Sequence, residues 1–171
     1  MTTILGVDPG LAKTGYGVIR VEGNRIAHIF HDTISTDPAA ITGVRLETIY
    51  DGIKKAVETF QPSMAGIESI YFAKNISSAL PVAQARGVIL LGLSQENILT
   101  REFSPQMIKQ MITGNGRAEK AQVQRLVRFL LSMDEPPGSD HASDALAAAI
   151  CCYNSSTAES KIGSFAAKHD K

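Results

Sequence analysis

Three strand-like runs succeed one another before any helical pattern begins, and this order narrows the fold more than any other feature of the chain. Ile4, Leu5 and Val7 make an apolar run that stops at Asp8, just before the turn pair Pro9 and Gly10. Thr14 to Val21 and Arg25 to Thr33 read as two more strands, joined by the turn-forming Glu22, Gly23 and Asn24. Three short strands in a row imply an antiparallel meander. The period then changes. Leu46, Ile49, Ile53, Val57 and Phe60 recur at helical spacing and stop before Pro62. Ala65 to Glu68 is a further short strand, Lys74 to Glu96 a second helix, and Ile98 to Phe103 a fifth strand. Ser104 and Pro105 suit the N-cap and first position of a helix reaching Ile112, broken by Gly114, Asn115 and Gly116. Ala118 to Leu131 is helical, and after Pro136, Pro137 and Gly138 a last helix is expected from His141 to Tyr153. The result is an α/β fold with a five-stranded mixed sheet and helices on both faces.

With 171 residues, 44% of them hydrophobic, the chain suits one well-packed domain, expected over 1–153. Residues 154–171 are rich in Ser, Ala and Lys, with little periodicity, and are expected to form a mobile tail. The 17 basic and 17 acidic residues cancel, so total charge does not point to a polyanionic partner. Their distribution is uneven. Arg101 to Leu131 carries six Lys or Arg against two acids, whereas 132–144 holds Asp134, Glu135, Asp140 and Asp144 and no Lys or Arg. That layout suits a phosphate backbone held beside a metal pocket, and equally a solvated helix face. Cys151 and Cys152 are adjacent and would point about 100° apart on a helix, which favours packing over a disulfide. The N-terminus lacks a basic n-region, and the apolar stretches are too short or too interrupted to span a bilayer. A cytoplasmic protein is expected.

Asp8 and Glu68 both close apolar strands, so neighbouring strands would bring their carboxylates together at one end of the sheet. In SDHASDALAAAI (139–150), His141 and Asp144 are three apart and share a helix face, with Asp140 offset by one. Taken singly, each group has a plainer explanation: a turn hydrogen bond for Asp8, an exposed strand end for Glu68, a favourable helix-start charge for Asp140 and Asp144. Taken together they form a cluster that repels itself unless it binds divalent cations, the arrangement used for attack of water on a phosphodiester.

These residues carry a resemblance. GVDPGLAKTGYGV, IESIYFAKN (67–75), ALPVAQARGV (79–88), NGRAEKAQV (115–123) and SDHASDALA (139–147) stand in the order and spacing of the RuvC family of Holliday-junction resolvases. The resemblance implies a ribonuclease-H-like fold and a homodimer that resolves four-way DNA junctions by paired symmetric nicks, in recombination and repair. It implies Mg2+, two ions per subunit with Mn2+ able to substitute, and the partners RuvA and RuvB. By position, Asp8, Glu68 and Asp144 match catalytic, metal-binding carboxylates. His141 falls where many members have Asp, a departure that favours manganese over magnesium; a shifted helix start would bring Asp140 in instead. Lys109 and Lys120 match positions that face DNA phosphates, and Tyr71 with Phe72 matches an aromatic loop that enters the junction.

Two other readings stand beside this one. A phosphate-binding ATPase of the actin, sugar-kinase and chaperone superfamily also begins with a strand, an Asp-containing turn and a hairpin, but needs a second domain that 171 residues cannot supply. A catalytically dead DNA-binding module on the same fold would have no use for intact Asp8, Glu68 and Asp144.

Overall fold

The computed structural model describes residues 1–69 and 76–169, with side chains at 1–69 and 79–157. The meander is β1 (Thr2–Asp8), β2 (Lys13–Glu22) and β3 (Arg25–Ser35). It is followed by α1 (Thr42–Phe60), β4 (Met64–Glu68), α2 (Ile76–Gln95), β5 (Leu99–Phe103), α3 (Pro105–Thr113), α4 (Lys120–Leu130) and α5 (Asp140–His169). The sheet runs β3-β2-β1-β4-β5. The first three strands pair antiparallel, while β4 lies parallel to both β1 and β5.

Alternation along the central strands builds two cores. Ile4 and Ile19 face α3, α4 and α5, packing with Val123, Val127, Leu146 and Ile150. Leu5, Val7, Val18, Ala65 and Ile67 face the other way and pack under Ile49, Ile53, Ile89 and Leu93 of α1 and α2. Helices therefore cover both faces, and all eleven of the apolar side chains just named from α1, α2 and the central strands are buried.

α5 lies directly on backbone. The strands beneath it present Gly6, Gly15, Gly17 and Gly66, and a Cβ on Gly6 or Gly66 would stand 1.8 Å from the Ala145 carbonyl oxygen or 2.3 Å from that of Ala148. No side chain fits between. The helix meets them with Ala145, Ala148 and Ala149, all fully buried. Cys151 and Cys152 continue this packed stretch as free, buried thiols, and burial pushes them up to about 12 and about 11. They are packing residues.

α5 runs to His169, well past the Tyr153 end expected from the sequence. The apolar period fades after Tyr153, but no proline follows, and Ala158, Glu159, Lys161, Ala166, Ala167 and Lys168 are good helix formers. Among the described residues no helix is long and apolar enough to cross a membrane.

Candidate active site

The position of the two strand-end carboxylates follows from parity and register. Ile4, Gly6 and Asp8 share one face of β1; Met64, Gly66 and Glu68 share the same face of β4. The parallel pairing Val7 to Ile67 sets the next residues, Asp8 and Glu68, side by side at the C-terminal ends of both strands, facing α5.

α5 starts at a cap that fixes its register. Ser139 Oγ accepts from the Ala142 N–H at 3.2 Å, Ser139 O accepts from the Ser143 N–H at 3.1 Å, and Ser139 Oγ lies 2.9 Å from Thr33 Oγ1 on β3. Asp140 and His141 are then the first two helical positions. His141 turns inward, its backbone against Gly15 and its Nδ1 donating to Asp8 Oδ2 at 2.7 Å. Asp144, one turn on, points to the same end of the sheet. Asp140 turns outward: its side chain is 68% exposed and accepts from Gln124 Nε2 at 2.8 Å.

Asp8, Glu68 and Asp144 form the cluster. One carboxylate oxygen from each lies within 4.8 Å of the other two. Burial, then the charges of Asp8 and Asp144, push Glu68 from its ordinary 4.5 to about 8. Burial also raises Asp8, partly offset by the His141 hydrogen bond. Asp8 and Glu68, whose ionisation burial and neighbouring carboxylates disfavour, would be relieved by added positive charge. Their donors are hard oxygens, the ligand type that suits magnesium, calcium or manganese, so the residues present fit a divalent cation of that class. His141 stands beside this trio rather than among its converging oxygens, held by Asp8.

Two lysines border the cluster. Lys120 Nζ donates to Asp144 Oδ2 at 2.9 Å and reaches Asp140 Oδ2 at 3.3 Å. Partial burial disfavours this ammonium, but Asp144 and Asp140 outweigh it and hold its pKa above the ordinary value. Lys109 lies close enough to Glu68 to lower its pKa and lines a groove of about 380 Å³ with Pro105, Gln106, Gly116 and Arg117. That groove is shaped locally: Ser104 caps α3 by accepting from the Met107 N–H, and Gly114 ends it in a left-handed conformation at φ 77°. Arg117 was not singled out in the sequence, although it sits in the basic run; the folded loop brings it beside Lys109. Tyr71 and Phe72 lie outside the described residues.

Comparison with known proteins gives this arrangement a context. The family profile for crossover junction endodeoxyribonuclease RuvC matches residues 4–152. A crossover junction endodeoxyribonuclease RuvC of Treponema denticola is 48% identical over 151 residues, covering 88% of this chain and 85% of that protein. Its counterpart from Heliobacterium modesticaldum is 43% identical over 154 residues, covering 90% of this chain and 95% of its own. Among solved structures, Thermus thermophilus RuvC in complex with a Holliday junction substrate superposes with a TM-score of 0.82 at 27% identity, covering 87% of this chain and 91% of that one. The match spans the meander, the carboxylate strands and the start of α5, and the chain belongs to the RuvC family of crossover junction endodeoxyribonucleases.

Proposed function

We propose that this chain resolves four-way DNA junctions by paired, symmetric, metal-dependent nicks, serving recombination and repair in the cytoplasm. The observation that carries the reading is the convergence of Asp8, Glu68 and Asp144 within 4.8 Å in a member of this family. Asp8, Glu68 and Asp144 would hold Mg2+, two ions per subunit with Mn2+ able to substitute, and His141 would serve as a further ligand. Bound there, the cations supply activation of water and neutralise charge on the scissile phosphate. The protein's part is positional: two strand ends and one helix turn hold the ligands on a rigid base of backbone. Lys109 and Lys120 meet backbone phosphates on either side of the cluster, and Tyr71 with Phe72 stacks on bases at the crossover. The catalytic domain is residues 1–153.

Two matched nicks require two sites related by a two-fold axis, hence a homodimer. The outer face of α2 supports one: Leu80 and Leu91 are 61% and 54% exposed, and the space around Gly87 is open. RuvA and RuvB are the proposed partners that deliver the junction.

The test is incubation of the purified protein with a synthetic four-way junction and with a linear duplex of matching sequence, with and without Mg2+. Paired nicks in the junction alone, dependent on the metal, are expected. Equal cutting of the duplex, or cutting with the metal chelated, overturns the reading.

A further inference from the structure

A register shift in β3 brings two histidines together far from the nuclease cluster. Phe30 pairs with Val18, but His28 pairs with the next residue, Ile19, so Ile29 is extra in β3. Ile29 and Phe30 both lie on the α1 side, where Phe30 stacks 5.2 Å from Phe60 and 5.9 Å from Tyr16. A regular strand would put His28 and His31 on opposite faces; the extra residue puts them on the same one. Their rings approach to 4.9 Å between centroids, with His28 Nε2 and His31 Nδ1 2.7 Å apart. Both are half-buried on the outermost strand of the sheet, open to solvent from its edge.

We propose that His28 and His31 form a two-imidazole site for a borderline-soft divalent cation of the zinc, nickel and copper class, separate from the carboxylate cluster. Binding a cation needs the hydrogen-bonded pair to open. Metal–imidazole bonds of about 2.0–2.1 Å at a tetrahedral angle set the two nitrogens roughly 3.3 Å apart, about 0.6 Å wider than the 2.7 Å at which they stand. In the hydrogen-bonded pair the two nitrogens point at each other, and a turn of both rings aims them at a shared point beside that line. In the metal-free pair one ring donates the shared proton; on binding, that ring takes the tautomer with its proton on the other nitrogen, so both facing nitrogens become ligands without net proton loss. Burial, with the neighbouring ring, holds His28 below its ordinary pKa and so keeps it neutral and available. No third His, Cys, Asp or Glu completes the set among the described residues, so water fills the remaining positions. Imidazole nitrogens select this class over magnesium, whereas the oxygen cluster selects the reverse.

The two sites do not share ligands. His31 pairs with Gly17 and Asp8 with Gly15, which places them two strands and two residues apart, roughly 12 Å.

The test is a titration of the full chain with Zn2+ in excess Mg2+, followed by the imidazole nitrogen signals of the four histidines. One equivalent of Zn2+ is expected to shift His28 and His31 together and leave His141 in place. His28→Ala and His31→Ala should each weaken that equivalent by at least about tenfold, the lower end of what a lost supporting partner costs a metal site. Magnesium-dependent nicking should be unchanged in both, so failure here leaves the nuclease reading standing. The wild-type titration needs no substitution: Zn2+ that moves only His141, or moves His28 and His31 no more than excess Mg2+ does, overturns the proposal. So does full zinc binding by both folded variants.

Discussion

Lys120 donates to Asp144: its Nζ lies 2.9 Å from Asp144 Oδ2, one of the three carboxylates of the cluster. The ammonium is an internal counter-charge on an oxygen that a metal ion held by the trio would need. A cation binding to Asp144 must therefore displace or repel it.

Lys120→Ala should accordingly bind Mn2+ more tightly, by about threefold to tenfold, because an ion pair this exposed is worth about 1 kcal/mol. The same change should weaken junction binding and lower the slope of log affinity against log salt by about 1, one phosphate contact being lost. Metal titration and gel shifts over a salt series measure both. Tighter metal binding with weaker cleavage marks a lysine that serves DNA rather than the metal.

Asp8→Asn should abolish nicking while leaving junction affinity within about threefold. It keeps the shape of the side chain but removes the charge that closes the trio. It also removes a repulsion on Glu68, so the Glu68 carboxyl should ionise at lower pH in the variant. Nicking and binding assayed side by side test the first claim, carbon-detected carboxyl titration the second.

Glu68 makes metal binding pH-dependent. With a carboxyl raised to about 8, the metal-free site is largely protonated at pH 7, and cation binding there should release close to one proton, falling toward none above pH 9. Apparent affinity should rise with pH up to about 8. Stability of the metal-free protein moves the opposite way, since the folded state holds this proton more tightly than the unfolded one. The group costs nothing below its unfolded value near 4.5 and progressively more as pH rises to 8. Glu68→Gln should raise the metal-free Tm at pH 8.5 by about 3 °C or more, the shift that about 1 kcal/mol produces in a chain of this size. Calorimetry in buffers of different ionisation enthalpy and thermal melts check the two halves.

His141 and Asp140 should separate cleanly. His141→Ala removes the donor to Asp8 and should lose most cleavage; Asp140→Ala removes an exposed partner of Lys120 and Gln124 and should stay within a few-fold of wild type. His141→Asp should keep activity and shift metal preference toward magnesium. A dead Asp140→Ala beside an active His141→Ala reverses the assignment.

The sequence carried the order of elements and the parity of the strands, because turn residues and alternation are local signals. It also placed Asp8 and Glu68 at strand ends, and the parallel pairing of β1 with β4 made them neighbours. Three things were not local. The helix start at Ser139 is tied to Thr33, over a hundred residues away, so which of Asp140 and His141 turns inward is not a local signal. The Lys120 to Asp144 bond joins two helices whose approach is set by buried Val123 and Val127. The far end of α5 lacks an apolar stripe to announce it, and only its helix-forming composition hints at the extension.

The seat of α5 on glycine has a further consequence for how the protein tolerates change. Most enzymes hang their ligands on side-chain packing, so a substitution deep in the core can shift a ligand by a fraction of an ångström. Here the helix bearing His141 and Asp144 rests against the backbone of the very strands bearing Asp8 and Glu68, with carbonyls in the place of methyl groups. Volume changes under α1 and α2 act on the opposite face of the sheet and should alter how firmly the protein folds without altering the ligand spacing. A methyl group on Gly6, Gly15 or Gly66 wedges the joint itself. Mutational damage should therefore divide into two kinds, one that is recovered by cooling and one that is not.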